Sequence, residues 1–417
     1  MRKYLLLSFL VVFFISCNSK KNDTSQLHRE GIQQNSFLLK TDWNNCEDHT
    51  FQFHLEGIRY DSLSLICVNK TKFQGYRVNG ESADGSNWTF LIPDSVYRLA
   101  SNFFFDPKLK GEKSNIRHRI LFLSCQNGDT LNHSNMLPLD RKIADIYAKY
   151  LDTEVFENTP AVDIVSGDDT VFFVSLHSDH CEILSEINSD FELRGKYLTF
   201  PYISSYREDT YDNYITQCLN IIGENPDSRY LIGCVAENRT AFHTKESLQK
   251  IYAAFSKENQ QSDFGKIIDK YLQHFFVFSN IKLLRYDNSN MEYLIQDSTK
   301  MNLIVFSASW CAPCHKLIPA LKEIYKDLKS QLDITYISMD EEKTSDNWRK
   351  LMKEQAIPWR SLMAKDNIKS VQEKYNLSGG IPFTLLVYPD KTVEIIDIRQ
   401  DDQREKLYSV CKNVEQK

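Results

Sequence analysis

The residues most suited to chemistry are two cysteines two apart, in Ser309-Trp310-Cys311-Ala312-Pro313-Cys314. A pair at this spacing can cycle between dithiol and disulfide. The apolar run Leu303-Ile304-Val305-Phe306 precedes it and reads as a buried strand, and Leu317, Leu321, Ile324 and Leu328 follow at helical spacing. The dithiol is therefore expected where a strand meets a helix. Unpaired N–H groups and the helix dipole favour a thiolate there, so Cys311 is expected to have a lowered pKa and to act as nucleophile. Cys314, one turn on, is within reach to resolve the mixed disulfide that Cys311 forms with a substrate. A zinc ribbon needs a second cysteine pair at compatible spacing, and Cys411 stands alone downstream.

The motif Trp310-Cys311-Ala312-Pro313-Cys314 after such a strand resembles the thioredoxin superfamily, in particular the tethered oxidoreductases of the TlpA or ResA type, over about residues 280–417. The resemblance implies an α/β thioredoxin fold with a redox-active dithiol and no cofactor. Pro319 matches the family's kinking proline in the active-site helix. Pro382, before Phe383-Thr384-Leu385-Leu386-Val387, matches the cis-proline opposite the dithiol, with Ile381 offering its backbone to substrate. A trans proline at the start of a strand is the other reading. Trp310 and Pro313 support the site. The span from Cys311 to Pro382 exceeds that of a minimal thioredoxin, as the TlpA type's extra strand and helix would produce. One position departs from the family: Val305 stands where shorter thioredoxins bury an aspartate under the dithiol. Glu341 or Glu342 is the candidate replacement, against the simpler reading of Asp340–Asp346 as a solvated acidic loop. Trp348, Leu351 and Met352 start a helix that Ser345 is expected to cap.

At the other end, Arg2 and Lys3 precede an apolar run from Leu5 to Ile15, too short for a permanent membrane span and read as an export signal. Phe14-Ile15-Ser16-Cys17 resembles a bacterial lipobox, which implies acylation of Cys17 and a stable membrane anchor. A chance cysteine beside a cleavable signal is the alternative. Residues 1–16 are thus the signal and 17–36 a polar, flexible tether.

Length and composition bound what lies between. At 417 residues the chain has room for two or three domains, and 42% apolar with 25% charged residues excludes a disordered or low-complexity class. A net charge of −6 gives no reason to expect nucleic-acid binding. Phe51, Phe53 and Leu55 alternate with polar residues, as do Leu63 and Leu65, and Trp88–Ile92 and Ile120–Leu123 continue the pattern. Asn79-Gly80, Asp84-Gly85 and Asn127-Gly128 supply residues that tolerate positive φ. Residues 37–135 are therefore expected to form a small antiparallel β-sandwich, which resembles the β-rich domain preceding thioredoxin modules in many Bacteroidetes lipoproteins.

Residues 136–279 are read as a mainly helical middle region. Ile215, Cys218, Leu219 and Ile222 fall on one helical face, as do Leu248, Ile251, Tyr252 and Phe255, and then Phe264, Ile267, Ile268, Tyr271 and Leu272. Thr244 and Ser262 are the candidate N-caps. His177, His180 and Cys181 lack a partner pair with zinc spacing, so no metal is expected. Beyond Cys17, Cys311 and Cys314, seven cysteines remain. Cys67, Cys125 and Cys218 are expected as buried free thiols; seven cysteines cannot all pair, and an oxidising envelope leaves room for one or two disulfides whose connectivity the sequence does not set.

The expected protein is a multidomain, membrane-tethered thiol–disulfide oxidoreductase of the cell envelope, facing the periplasm. Its implied partners are disulfides of envelope proteins, apocytochromes among them, and a membrane thiol electron donor. The competing readings are a binding or scaffold lipoprotein whose thioredoxin module only docks partners, and a disulfide oxidase or isomerase.

Overall fold

The computed structural model describes residues 48–413, apart from 70–73, 99, 101, 127–128, 136, 139–144, 164, 167, 186–188, 203–209 and 378–379. The signal, the tether, Cys17 and Cys46 lie outside the described residues, as does the Asn127-Gly128 turn. The described chain divides into two compact units, one within 2–198 joined by 228–233, the other within 199–227 and 234–417.

In the first unit, nine strands run in chain order. They are β1 (Asp48–Glu56), β2 (Ser62–Asn69), β3 (Gln74–Asn79), β4 (Asn87–Pro93), β5 (Asn102–Lys108), β6 (Ile116–Gln126), β7 (Asp129–Ser134), β8 (Asp145–Asp163) and β9 (Asp168–Ile183). They form a six-stranded sheet in the order β4-β1-β8-β9-β6-β7 and a three-stranded sheet β3-β2-β5. Phe51, Phe53, Phe90, Ile120 and Phe122 from the larger sheet share one core with Leu63, Leu65, Phe103 and Phe105 from the smaller. Alternation along each strand sends these side chains to one face, so two sheets close over a single apolar layer.

Two expectations need correction here. The sheet is mixed rather than antiparallel, because β1 pairs β8 and β6 pairs β9 in parallel. The strand-rich part also runs on to Ile183, well past residue 135, since β8 and β9 make a long antiparallel hairpin inside the region read as helical. Much of β8 is exposed, so its side chains lack the apolar alternation that marks a half-buried strand. Of the turns, Asp84-Gly85 behaves as expected: Gly85 has φ of +73° and a Cβ there would meet the Tyr60 carbonyl oxygen at 2.7 Å. Gly80 does not take a positive φ; it is needed because a Cβ would lie 2.6 Å from the Phe90 ring.

The second unit combines the helices Tyr211–Glu224, Lys245–Ala253, Lys257–Gln261 and Asp263–His274 with a seven-stranded sheet. Thr244 caps its helix reciprocally with Ser247, and the Ser262 hydroxyl accepts the Gly265 N–H at 3.1 Å, as the sequence predicts. These helices are not a separate middle domain. The Ile395 N–H donates to the His243 carbonyl at 2.9 Å, and Phe278 donates to the Lys391 carbonyl at 3.0 Å, which ties them to the C-terminal sheet.

That sheet is built from β10 (Lys282–Arg285), β11 (Met291–Tyr293), β12 (Met301–Ser307), β13 (Leu332–Ser338), β14 (Arg360–Met363), β15 (Phe383–Val387) and β16 (Val393–Ile395). Their order is β11-β10-β14-β13-β12-β15-β16, with β12, β13 and β14 parallel. Parallel neighbours need crossovers, and the helices Ile318–Leu328 and Ser345–Glu354 lie in those connections. All seven residues of β12 are buried. Leu303 and Val305 pack on one face with Leu321 and Ile324, while Ile304 and Phe306 pack on the other with both active-site cysteines. Ser345 is not the cap it was expected to be: it is the first residue of its helix and its hydroxyl donates to the Glu342 carbonyl at 2.9 Å.

Candidate active site

Cys311 sits in the N-cap position of the short helix Ala312–His315, directly beyond β12. The Cys314 N–H points at the Cys311 sulfur from 3.3 Å. Cys311 and Cys314 are joined as a disulfide, with Cα atoms 5.3 Å apart. Pro313 lies in the first turn of this helix, where its missing N–H leaves no bond unmade. The helical path breaks at Lys316 and Leu317 and resumes as Ile318–Leu328 with Pro319 in its first turn. Pro319 has no N–H for a helical bond and its ring crowds the preceding turn, which accounts for the break.

Facing the dithiol, the Ile381–Pro382 peptide is cis, and the Ile381 carbonyl oxygen lies 3.7 Å from the Cys311 sulfur. Phe383 follows as the first residue of β15 and packs in the same apolar cluster as both cysteines, with Trp310 and Ile381 half-buried against it. In the disulfide form Cys311 is 4% exposed and Cys314 2%, because this cluster closes around both.

Val305 belongs to the cluster on the opposite face of the sheet, so β12 brings no carboxylate to the sulfurs. Neither replacement candidate fills that place. Glu341 pairs with Lys343 at 2.6 Å and Glu342 with Lys365 at 2.6 Å, and both carboxylates are more than half exposed. The residue overlooked in the sequence is their neighbour Asp340, which is fully buried. It accepts the Ser309 N–H at 2.9 Å, the Ser309 hydroxyl at 2.5 Å and the Ser338 hydroxyl at 2.8 Å. Its signal was its place directly after an apolar strand, where a polar side chain in step with inward-facing Ser338 is drawn inside.

Four of the other described thiols are poor competitors for this chemistry. Burial pushes Cys67, Cys181, Cys218 and Cys411 up to about 12. Cys125, expected in the core, is exposed, because it falls on the outward phase of β6 while Ile120 and Phe122 point in.

Residues 298–393 match the thioredoxin-like family, a stretch that holds both cysteines and Pro382. Over 94 residues the chain is 34% identical to probable nucleoredoxin 1 of Arabidopsis thaliana, covering 22% of this chain and 15% of that protein. Over 60 residues it is 35% identical to a thioredoxin-like protein of Synechocystis, covering 14% of this chain and 55% of the relative. The crystal structure of the thioredoxin domain of a Bacteroides vulgatus thiol-disulfide oxidoreductase is 25% identical, with a TM-score of 0.30, over 33% of this chain and 97% of that one. The chain thus spans 15% and 55% of the length of these two curated relatives. What these comparisons define is a thioredoxin-like domain over residues 298–393, the stretch that carries the dithiol.

Proposed function

We propose that this protein is a thiol–disulfide oxidoreductase, held at the cell envelope by lipid on Cys17, that reduces disulfides of envelope proteins. The observation that carries the reading is the Cys311–Cys314 pair at the start of a helix, facing the cis Ile381–Pro382 peptide. In the reduced protein the Cys311 thiolate attacks a substrate disulfide, forming a mixed disulfide and releasing one substrate thiolate. The Cys314 thiolate then attacks the Cys311 sulfur, which frees the second substrate thiol and leaves the Cys311–Cys314 disulfide. A membrane thiol donor returns two electrons and completes the cycle. The Ile381 backbone, beside the Cys311 sulfur, receives an extended substrate segment, while Trp310 packs against the same apolar cluster and Pro313 shapes the first turn that carries the dithiol.

Apocytochromes are one candidate substrate class and diverse envelope proteins the other. Reduction of insulin disulfides by the purified protein, beside a Cys311→Ser variant, tests the proposal. Turnover by wild type and none by the variant is expected. Absence of turnover by wild type overturns it and leaves a scaffold role for the domain.

A further inference from the structure

We propose that the β-sandwich unit holds a transition-metal site, suited to zinc or another first-row divalent ion, formed by Glu112, His118 and His177. It is independent of the dithiol and of the function proposed above. His177, His180 and Cys181 form no such site among themselves: His177 and His180, three apart on a strand, face opposite ways, His180 pairs with Asp152 at 2.6 Å, and Cys181 lies in the apolar core. Tertiary structure supplies the missing ligands. Strands β6 and β9 run parallel with His118 directly opposite His177, and the two ring centroids are 4.8 Å apart. Glu112, in the segment leading into β6, brings its carboxylate to 2.5 Å from the His118 Nε2. One ligand atom from each of the three lies within 4.8 Å of the other two.

A tetrahedral ion with bonds of about 2.0–2.2 Å needs donor atoms roughly 3.3–3.6 Å apart. Metal entry therefore requires the Glu112 carboxylate to withdraw from His118 by about 1 Å and the donor set, now spread over up to 4.8 Å, to close in around the ion. Two imidazoles and one carboxylate leave a fourth position for water. Nitrogen and carboxylate donors of this kind take zinc, and also nickel or copper, in preference to calcium or magnesium.

The surroundings of His118 strengthen the assignment. Its Nδ1 lies 2.7 Å from the Asp179 Oδ2 and its Nε2 faces the Glu112 carboxylate, so a metal would take Nε2 by displacing its proton while Asp179 keeps the proton on Nδ1. Asp179 is fully buried and held in turn by the Tyr60 hydroxyl at 2.7 Å and the Thr153 hydroxyl at 2.6 Å. A carboxylate behind a histidine, itself anchored, is how metal proteins set the tautomer and angle of a ligand ring.

The test uses the full chain with Cys311 and Cys314 oxidised, so that the dithiol cannot take metal. Zinc is titrated against a chromophoric chelator, and cobalt substitution is followed by visible absorption. One equivalent should bind, and the cobalt spectrum should lack thiolate-to-metal charge transfer. Glu112→Gln and His177→Gln should each weaken zinc by at least about tenfold, and Asp179→Asn by about 10–100-fold. A Cys311→Ser/Cys314→Ser variant should bind as wild type does. Glu112 and His177 are both half-buried, and the metal-free thermal transition of each variant shows whether it folds; if one does not, the other decides. Absence of stoichiometric uptake, unchanged affinity in the folded variants, or a thiolate band in the cobalt spectrum overturns the proposal.

Discussion

Asp340 accepts both the backbone N–H and the hydroxyl of Ser309, at 2.9 and 2.5 Å, and so ties the end of β13 to the loop two residues before Cys311. The carboxylate is fully buried, and the Ser338 hydroxyl takes a further acceptor position. Asp340→Ala would leave three donors unpaired in the interior, with an expected cost of about 3 kcal/mol in urea unfolding. Asp340→Asn, which keeps one acceptor oxygen, should cost less and retain more insulin reduction. Equal stability of Asp340→Ala and wild type would show that the contact does not hold the loop.

In the reduced protein Cys311 should alkylate faster than Cys314 at neutral pH. The Cys314 N–H points at the Cys311 sulfur and stabilises negative charge there, whereas Cys314 lies within the helix and is the less exposed of the two. Peptide-resolved mass spectrometry reads Cys311 and Cys314 separately from the other cysteines; among the described residues, a Cys125→Ser background removes the exposed thiol and burial holds Cys67, Cys181, Cys218 and Cys411 near 12. Equal rates, or faster modification of Cys314, would reverse the two roles.

Cys314→Ser should accumulate mixed disulfides with envelope proteins, and Cys311→Ser should accumulate none. The first variant still attacks but has no internal thiolate to resolve the bond. Non-reducing gels of cells that express each variant make the comparison. Replacement of Pro382 should prolong the same complexes by altering how substrate seats beside Ile381.

His243 gives the second unit an acid sensitivity. Burial pulls its imidazole down to about 4, and its ring stacks on Tyr211 at 4.6 Å. The unfolded chain takes up a proton near the ordinary value of about 6.5, while the folded chain resists until about 4. Its contribution is therefore fully present above about 6.5 and falls away as the pH drops towards 4, by about 3 kcal/mol in all. Urea midpoints at pH 7 and pH 5 should differ less in His243→Gln than in wild type. An unchanged difference would assign the acid sensitivity to other groups.

Cys17→Ala should move the protein from the membrane fraction to the soluble fraction and abolish palmitate labelling. Anchoring by several acyl chains would otherwise survive a high-salt wash. Salt-resistant pelleting of the variant would rule the anchor out.

The dithiol and its strand were legible in the sequence because each is a local pattern: a buried strand reads as an apolar run and a Cys-x-x-Cys is contiguous. The cis state of Pro382 was only what the resemblance implied, since a strand start accepts a trans proline equally well. The Thr244 and Ser262 caps were legible as local patterns too, since a cap bonds only three residues ahead. What depended on distant partners was not. β8 lies between other strands of its sheet yet exposes much of its length, so it lacks the alternation that would have separated it from a helix. The carboxylate nearest the active-site loop proved to be Asp340 rather than Glu341 or Glu342, because strand phase and the Ser309 donors, 31 residues away in sequence, decide which acid turns inward. Glu112, His118 and His177 meet only because β6 and β9 pair in parallel in one register, and no spacing along the chain encodes that pairing.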